Sequence, residues 1–321
     1  MKKNVLLCLA LLSLGTGVAS THAQNFPNKP IQVISGYSPG APSDNITRIV
    51  ATALSERIKL PVIVSNKLGA GGIVALTALK QAPADGYTTG VLVSANAVQP
   101  WLVKNLPYDV LKDFATITNF YTVPLVMTVP TSLPARNLAE FVSYAKANPG
   151  RVFFGSVGVG STSHLSGELL SRMGGFQMTS VAYKGAPEKN AALLAGDIQT
   201  AFDNYSAPKP MVDAGRLRVL GVTSKQRWAT LPDAPAIAEM FPGFDVNAWV
   251  GLVARSGVPK DALDKLSAEI RAVIRAPDVR KAFADSGVDP GGMSPSEFAQ
   301  MLSAEVEKWG DVVRSAGMQA Q

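Results

Sequence analysis

The ten residues Gly155 to His164, GSVGVGSTSH, combine glycines, serine and threonine hydroxyls and a histidine at spacings that could do chemistry. A phosphate-binding loop needs a lysine six residues after its first glycine, but Ser161 occupies that position after Gly155. A dinucleotide-binding loop that begins at Gly158 needs a third glycine where this sequence has Ser163. Neither nucleotide-binding motif is therefore complete.

A hydrolase elbow, G-x-S-x-G, is also missing, because no serine in the stretch has glycine two residues away on both sides. Ser161 and His164 are nevertheless three residues apart at the start of a predicted helix, so their side chains could meet. Asp203 could then orient the imidazole ring, as in a Ser-His-Asp triad. A secreted serine hydrolase is thus one alternative, and a histidine that merely packs beneath the loop is another.

The remaining interpretation uses the backbone. A glycine-rich turn between a strand and a helix exposes successive N–H groups, and Ser161 or Thr162 would begin the helix. A helix N-terminus concentrates unpaired donors and positive potential, which favours a carboxylate ligand. The loops PGAPSD (39–44) and GAGG (69–72) hold equivalent places earlier in the chain. Tight turns alone would also explain such glycines, but several converging loops favour ligand binding.

Residues 1–23 have the pattern of a secretory signal peptide. Two lysines precede an apolar run from Val5 to Leu14, and small residues lead to an expected cleavage site after Ala23. Removing this segment takes away two lysines and no acid, so the net charge falls from +6 to +4. The pattern predicts an exported, periplasmic protein with a mild positive charge.

Composition excludes several classes of function for the exported chain. The only cysteine, Cys8, and one of the two histidines lie in the predicted signal peptide, which leaves His164 as the last histidine. We therefore expect no disulfide, no metal centre and no cofactor. The sequence has no basic cluster with interleaved aromatic residues, which argues against nucleic-acid binding.

Short β-type runs alternate with helical stretches along the chain, which predicts an α/β fold with doubly wound, mostly parallel sheets. Strands are expected at 31–37, 62–66, 88–94, 152–156, 178–183, 198–202 and 218–224, and helices at 44–59, 73–82, 187–195, 260–285 and 295–316. Two further helices are expected after a capping box at Asn137 and Glu140 and around Leu165 to Met173. The repeated pattern indicates two α/β units.

Two extended segments are expected to join these units. Residues 114–130 have no helix signal and predict a strand that crosses from one unit to the other, and 246–254 resembles a return strand. We expect a first lobe at 24–123 plus 229–321, a second lobe at 124–228, and a ligand cleft between them. Such a hinged pair could close around a ligand.

Several segments in order resemble the Bug/TctC family, the periplasmic solute receptors of tripartite tricarboxylate transport systems. They are FPNKPIQVISGYSPGAPSD, NKLGAGGIVA, ANPGRVFFGSVGVGSTSHLSGELL, VAYKGAPEKNAALLAGDIQTAFDN and GRLRVLGVTSKQRWATLPDAPAIAEMFPGF, and the likeness runs from about Phe26 to Gly317. The resemblance implies a two-lobe clamshell of the type II periplasmic-binding-protein class, monomeric and not an enzyme. It would bind a small carboxylate and deliver it to the membrane subunits of a transporter, although a sensing receptor without a transport role is an alternative.

The resemblance also implies ligand-binding residues in both lobes. Those expected in the first lobe are Tyr37, Ser38, Gly40, Ala41, Asp44, Gly71, Ser94 and Asn96. Those expected in the second lobe are Ser156, Ser161, Thr162, His164, Tyr183, Lys184, Gly185, Asp203 and Asn204. Asp203 would either accept hydrogen bonds from a ligand amine or hydroxyl, or cap a helix, and Lys184 could be only a solvated side chain.

The first binding loop departs from the family pattern. Members usually carry Pro-Gly-Gly, whereas this chain has Pro39-Gly40-Ala41-Pro42. Ala41 resists positive φ, and Pro42 lacks an N–H and favours extended geometry at Ala41. Tyr37 replaces the usual phenylalanine and adds a hydroxyl. We hypothesise that these changes alter the choice of ligand or the water network around its carboxylate.

Overall fold

The computed structural model describes residues 26–315 and residue 320, so the predicted signal peptide at 1–23 lies outside the described residues. The strands are β1 (Ile31–Ser35), β2 (Val62–Asn66), β3 (Thr88–Val93), β4 (Phe114–Pro124), β5 (Val126–Pro130), β6 (Phe153–Ser156), β7 (Thr179–Ala182), β8 (Thr200–Asp203), β9 (Leu217–Val222), β10 (Asn247–Arg255) and β11 (Asp289–Pro290). The helices are α1 (Pro42–Ile58), α2 (Ile73–Gln81), α3 (Gln99–Leu102), α4 (Leu138–Ala147), α5 (Thr162–Gly174), α6 (Ala186–Ala195), α7 (Lys209–Asp213), α8 (Lys260–Arg275), α9 (Pro277–Asp285) and α10 (Pro295–Ser315). Single 3₁₀ turns cover Ala70–Gly72, Ser94–Ala97 and Ile237–Glu239.

Two β-sheets organise these elements. The sheet of the first lobe has the strand order β11-β4-β10-β3-β1-β2, and the sheet of the second lobe has the order β7-β6-β8-β5-β9. In the first, β1 is parallel to β2 and β3, while β10 is antiparallel to β3 and β4. In the second, β6 is parallel to β7 and β8, while β5 is antiparallel to β8 and β9. The expected α/β fold is confirmed, and its sheets are mixed because β10 in the first sheet and β5 in the second run against the strands on both sides of them.

The predicted crossing segments are both present. β4 and β5 are separated only by Leu125, and they belong to different sheets, so this stretch carries the chain into the second lobe. β10 brings the chain back and lies between β3 and β4. The residue limits of the two lobes stay a prediction, but both crossings lie at the junction of the sheets.

The segment 260–285 is helical as expected, but its helical structure is interrupted once. The segment forms α8 and α9, which are separated at Ala276, whose backbone is extended at φ −62° and ψ 139°. Pro277 explains the break, because proline has no N–H for the helix ladder and disfavours helical geometry in the residue before it. Pro277 instead begins α9, where a proline is well tolerated.

An apolar core connects the two lobes. One buried cluster includes Leu92 and Trp249 of the first sheet together with Met127 and Phe154 of the second. Burial of such side chains is the main favourable contribution to folding, so the same cluster stabilises both lobes and their contact. Across residues 26–315, no helix combines the length and the apolar character that crossing a membrane requires.

Candidate functional site

The loop between β1 and α1 is held in shape by Asp44. Its buried carboxylate accepts hydrogen bonds from Gly40 N at 3.1 Å, Arg48 Nε at 2.8 Å and Asn66 Nδ2 at 2.6 Å. Burial alone would raise the pKa of Asp44, but the hydrogen bonds from Arg48, Asn66 and Gly40 outweigh it and lower the pKa. Gly40 has φ +83°, a conformation that favours glycine. Asp44 therefore positions the loop and is itself occupied by these donors.

Ala41 and Pro42 adopt the geometry that the sequence predicts. Ala41 precedes α1 with φ −62° and ψ 152°, and Pro42 is the first residue of the helix. Proline is tolerated there because a first-turn N–H has no acceptor within the helix. The backbone N–H of Ala41 donates to Ser38 O at 3.0 Å, which closes the turn. The effect of this altered loop on ligand choice stays a prediction.

Three predicted site residues of the first lobe, Tyr37, Gly71 and Asn96, form one network. The buried Asn96 accepts hydrogen bonds from Tyr37 Oη at 3.3 Å and Val93 N at 2.9 Å through its Oδ1. Its Nδ2 donates to Gly71 O at 3.2 Å and to Gln99 Oε1 at 3.1 Å. Burial raises the pKa of Tyr37, which keeps its hydroxyl protonated. The Tyr37 hydroxyl, which the phenylalanine of the family pattern lacks, thus forms a hydrogen bond between the loop after β1 and the turn after β3.

The three glycines of the 155–164 stretch are required for different reasons. A Cβ on Gly155 would lie 2.5 Å from Lys189 Cγ, so only glycine lets that side chain pass. Gly158 and Gly160 have φ +116° and +77°, which favour glycine. A Cβ on Gly160 would also lie 2.8 Å from Leu102 Cδ1, which belongs to the first lobe. Alanine at position 160 would therefore force the end of the Leu102 side chain to move, so Gly160 is the glycine of this stretch that packs against the first lobe.

The serine hydroxyls of this stretch are used to build the loop. Ser161 caps α5, because its Oγ accepts from His164 N at 3.3 Å and donates to Gly158 O at 2.7 Å. The buried Ser156 accepts from Gly158 N at 3.2 Å and from Ser180 Oγ at 3.0 Å. These bonds hold the turn that precedes the helix N-terminus, as the backbone interpretation of the sequence requires.

His164 packs beneath this loop. It is 6% exposed, and its Nδ1 accepts from Gly160 N at 3.3 Å. Its ring stacks on Phe154 with centroids 6.1 Å apart, and its Nε2 lies 3.6 Å from Glu168 Oε1. Burial lowers the pKa of His164 and raises the pKa of Glu168. These contacts favour a neutral imidazole that supports the loop.

The hydrogen bonds of a Ser-His-Asp triad are not assembled among the described residues. The hydroxyl of Ser161 bonds to Gly158 O and to the backbone of His164, not to its ring. Asp203 pairs instead with Lys189, at 2.9 Å between Oδ1 and Nζ. The geometry therefore gives the hydrolase alternative no support.

Predicted residues of the two lobes meet directly at one point. Ser94 Oγ and Thr162 Oγ1 lie 3.1 Å apart and share a hydrogen bond. Ser94 follows β3 in the first lobe, and Thr162 begins α5 in the second. Together with the packing of Leu102 at Gly160, this contact brings the first-lobe turns against the glycine-rich loop. The turn after β3 and the start of α5 thus lie side by side.

A buried ion pair lies at the end of β8. Lys189 is fully buried, and its Nζ contacts Asp203 Oδ1 and donates to Phe202 O at 3.2 Å. Burial raises the pKa of Asp203, although Lys189 opposes this shift. The second oxygen of Asp203, Oδ2, and Asn204 Oδ1 are buried without a hydrogen-bond partner among the described residues. Unpaired buried acceptors are rare in folded proteins and call for an explanation.

The predicted site residues Tyr183, Lys184 and Gly185 lie between β7 and α6. Tyr183 packs against an apolar cluster that includes Leu193, and burial raises its pKa. Lys184 is exposed, and its N–H donates to Glu188 Oε2 at 3.2 Å. Gly185 precedes α6 in an extended conformation. Their participation in ligand binding stays a prediction.

Sequence reasoning missed Arg48 and Lys189. A signal for Arg48 was available, because it follows Asp44 by four residues on a predicted helix, the spacing of an ion pair. Lys189 gave no such signal, since its partner Asp203 is distant in the sequence and lysine is rarely buried. Across the described part of the chain, no three His, Cys, Asp or Glu side chains are grouped so that they could hold a metal ion.

Three comparisons relate this fold and its loops to known proteins. The model of a family described as "Tripartite tricarboxylate transporter family receptor" matches residues 46–318. A relative from Pseudomonas sp. (strain P51), named "UPF0065 protein in tcbD-tcbE intergenic region", is 34% identical over 306 residues, which cover 94% of this chain and 91% of the relative. The structure of R. palustris Rpa4515 with adipate is 30% identical with a TM-score of 0.77, and covers 92% of this chain and 100% of its own.

A second solved structure, MatC from Rhodopseudomonas palustris with bound malate, is 28% identical with a TM-score of 0.72, and covers 90% of this chain and 100% of its own. These likenesses extend over nearly the whole described fold. The two-lobe architecture of periplasmic solute-binding proteins that the sequence predicts is therefore confirmed.

Proposed function

The chain belongs to the tripartite tricarboxylate transporter receptor family, and from this we propose that it captures a small carboxylate between its lobes and delivers it to a tripartite membrane transporter. The family consists of solute-binding receptors. Two similar proteins of known structure hold adipate and malate, and both of these ligands are carboxylates. The observation in this chain that carries the proposal is the hydrogen bond between Ser94 and Thr162, which joins the loops where the carboxylate would be held.

The chemistry of the loops suits an anion. In the first turn of α5, the N–H groups of His164 and Leu165 bond to Ser161, while those of Thr162 and Ser163 have no acceptor among the described residues. The helix N-terminus adds positive potential, so these donors favour a carboxylate without a charged side chain. α1 also begins at the loop after a strand, but its N-cap residue Ala41 makes no side-chain cap hydrogen bond, and Pro42 has no N–H to offer.

We assign different roles to the proposed site residues. Backbone N–H groups of Ser38, Gly71, Gly185, Thr162 and Ser163 would bind the carboxylate directly or through water, whereas Gly40 and Ala41, whose N–H groups donate to Asp44 and to Ser38 O, would shape the loop. Side chains of Ser94, Thr162, Lys184, Asp203 and Asn204 would contact the rest of the ligand. Tyr37, Asp44, Asn96, Ser156, Ser161, His164 and Tyr183 would position these groups. The assignment is supported by the hydrogen bonds that already occupy Asp44 and Asn96 inside the first lobe.

A thermal-shift screen against carboxylates tests the function. A ligand present at a hundred times its dissociation constant stabilises a protein by about 2.7 kcal/mol. We expect stabilisation by at least one member of a panel that includes adipate, malate, amino acids and aromatic acids. The amide of each hit, which has the same shape without the charge, is the matched control and should not stabilise. A panel without any hit would contradict the proposal.

The hydrolase and sensing alternatives are separated by two further measurements. Turnover of ester substrates that is lost in His164→Ala would favour the hydrolase, whereas binding without turnover supports the receptor. Transport is tested by retention on membranes that contain the transporter, which should require the carboxylate. A receptor that binds its carboxylate but never the transporter would instead serve in sensing.

Export and oligomeric state complete the proposal. We expect the exported protein to begin after Ala23 and to be a periplasmic monomer. N-terminal sequencing of the periplasmic protein checks the cleavage site, and size-exclusion chromatography with light scattering checks the mass. A protein retained in the cytoplasm at full length would contradict the proposed location.

A further inference from the structure

The first residue of α3, Gln99, uses both ends of its side-chain amide inside the first lobe. Its Nε2 donates to Gly71 O at 2.9 Å, and its Oε1 accepts from Tyr108 Oη at 2.6 Å and from Asn96 Nδ2 at 3.1 Å. Gly71 O receives two donors, because Asn96 Nδ2 also lies 3.2 Å from it. These bonds fix the loop at Gly71, which is proposed above to offer a backbone N–H to the carboxylate.

The orientation of the Gln99 amide is fixed by its neighbours. The Tyr108 side chain is 4% exposed, and its ring packs edge-on against Phe114 with centroids 5.4 Å apart. Burial raises the pKa of Tyr108, so its hydroxyl keeps the proton that it donates to Oε1. The opposite orientation of the amide would place an acceptor against Gly71 O, which has no proton to donate. Gln99 is therefore held with its donor towards the loop.

The same turn of helix contacts the second lobe and the last helix of the described chain. Leu102, three residues after Gln99, packs at Gly160, where an added Cβ would lie 2.8 Å from Leu102 Cδ1. Trp101 donates through its Nε1 to Val306 O of α10 at 2.7 Å. α3 is thus held as one unit, with the carboxylate loop at its first residue and the second lobe at its last.

We infer that Gln99 is a positioning residue that couples the carboxylate-binding loop to closure of the lobes, because it links Gly71 to Leu102 through α3. The inference rests on the proposed function and adds a mechanism to it. A carboxylate on the N–H of Gly71 favours one conformation of the loop, and Gln99 passes this preference to the turn that carries Leu102. A ligand shifts a conformational equilibrium only when it binds one state better than the other, and this link supplies such a difference between open and closed lobes.

The first test measures carboxylate affinity by calorimetry. Adipate and malate are the first probes, because similar proteins of known structure hold them, and the tightest-binding carboxylate of the screen replaces them if neither binds. Gln99→Met removes both ends of the amide at similar side-chain length, and should weaken binding about tenfold, the effect of one or two hydrogen bonds. Gln32→Met is the matched control, because it changes an exposed glutamine on β1 whose Nε2 bonds to Ser65 Oγ. The control should change the affinity less than about twofold.

Spin labels distinguish coupling from a general loss of structure. With labels at Ile63→Cys and Arg172→Cys, on exposed residues of the two lobes, a saturating carboxylate should narrow the distance distribution of the otherwise unaltered protein. When Gln99→Met is added, the distribution should stay broad even at saturation.

Two outcomes would overturn the inference and leave carboxylate binding standing. One is an equally narrow distribution at saturation with and without Gln99→Met, and the other is an affinity of Gln99→Met within about twofold of the unaltered protein. A distribution that the bound carboxylate leaves unchanged in the unaltered protein would also overturn it. No carboxylate binding to the unaltered protein would overturn the proposed function, and the inference with it.

A double-mutant cycle tests whether the link runs through α3. Leu102→Ala removes the contact with Gly160 and should also weaken carboxylate binding. If Gln99 acts through Leu102, the loss in the double variant should be smaller than the product of the two single losses by at least about threefold. Strictly multiplicative losses would mean that the two residues act independently and would overturn the inference. If Gln99→Met does not fold, Gln99→Asn, whose shorter side chain moves the donor away from Gly71 O, replaces it in every comparison.

Discussion

The first-lobe and second-lobe halves of the candidate site differ in how far their polar groups are already paired. In the first lobe, the carboxylate of Asp44 and the amide of Asn96 are occupied by neighbouring residues. In the second lobe, Asp203 and Asn204 each keep a buried oxygen that has no donor within residues 26–315. We therefore assign different roles to the two halves of the candidate site. The first half holds its loop in one preformed shape, and the second half keeps polar groups available to a ligand.

The largest expected effect concerns the ion pairs that underlie the two halves. Lys189→Met leaves Asp203 without its buried partner, and breaking such a pair costs about 3–5 kcal/mol of unfolding free energy. Arg48→Met should cost only about 1–2 kcal/mol, because Arg48 is 44% exposed and Asp44 keeps its bonds to Gly40 and Asn66. Urea unfolding followed by circular dichroism measures both values. Equal losses in the two variants would contradict the contrast between the halves.

The next effect concerns the glycines of the second-lobe loop. Gly158→Ala and Gly160→Ala both place a side chain at positive φ, which costs about 1–2 kcal/mol of stability in each. Only the Cβ at position 160 meets Leu102, whereas nothing lies within 4 Å of the one at 158. Gly160→Ala should therefore weaken carboxylate binding about tenfold, or roughly 1.4 kcal/mol. Isothermal titration calorimetry measures the carboxylate affinity of both variants. Equal losses of affinity in Gly158→Ala and Gly160→Ala would show that the contact between the lobes does not control binding.

A smaller effect is expected from the hydrogen bond between the lobes. A double-mutant cycle measures this bond through the ligand affinities of Ser94→Ala, Thr162→Val and the double variant. We expect a coupling energy of about 0.5–1.5 kcal/mol, the usual net contribution of one hydrogen bond. The cycle is measured by titration of the best ligand into each variant. Strictly additive effects would mean that the two hydroxyls do not act together when the ligand is bound.

The smallest expected effect is a pH dependence from His164. Because burial lowers its pKa below the ordinary 6.5, the unfolded chain takes up the proton more readily. The free energy of unfolding should therefore decrease as the pH falls through 6.5, and level off below the lowered pKa. Glu168 acts in the opposite sense, since its raised pKa adds stability as the pH falls towards 4.5.

His164→Asn is the control for this dependence. Asparagine keeps an acceptor for Gly160 N–H but does not titrate, so the decrease that begins near pH 6.5 should disappear. The contribution of Glu168 should remain. Unfolding curves at intervals between pH 4 and 8 give the comparison, and an unchanged profile would show that His164 is not the titrating group.

Local sequence signals predicted most of the fold. The cap of α4 forms as expected, with Glu140 N donating to Asn137 Oδ1 at 2.9 Å, and β2 covers the expected residues 62–66. The break before Pro277 was missed because the apolar spacing on either side continues as though one helix were present. The rule that proline ends a helix would have found it. Local signals are thus reliable where spacing and caps agree.

The site was harder to predict than the fold. The glycine-rich loop was found because its glycines and hydroxyls are adjacent in the sequence. The pairing of Lys189 with Asp203 depends on the registration of α6 against β8, and no local pattern encodes it. Likewise, the hydroxyl of Tyr37 suggested a ligand contact, whereas its partner is Asn96. Side-chain roles of this kind follow from packing between distant segments.

The central claim is that a carboxylate is held between the two lobes, and a distance measurement across the cleft tests it most directly. The only cysteine of the sequence, Cys8, lies in the predicted signal peptide, so spin labels can be placed on the exported protein by Ile63→Cys and Arg172→Cys, which change exposed residues on different lobes. We predict that a saturating carboxylate shifts and narrows the distribution of label distances towards the one in which Ser94 contacts Thr162. A carboxylate that binds by calorimetry but leaves the distribution unchanged would contradict the account.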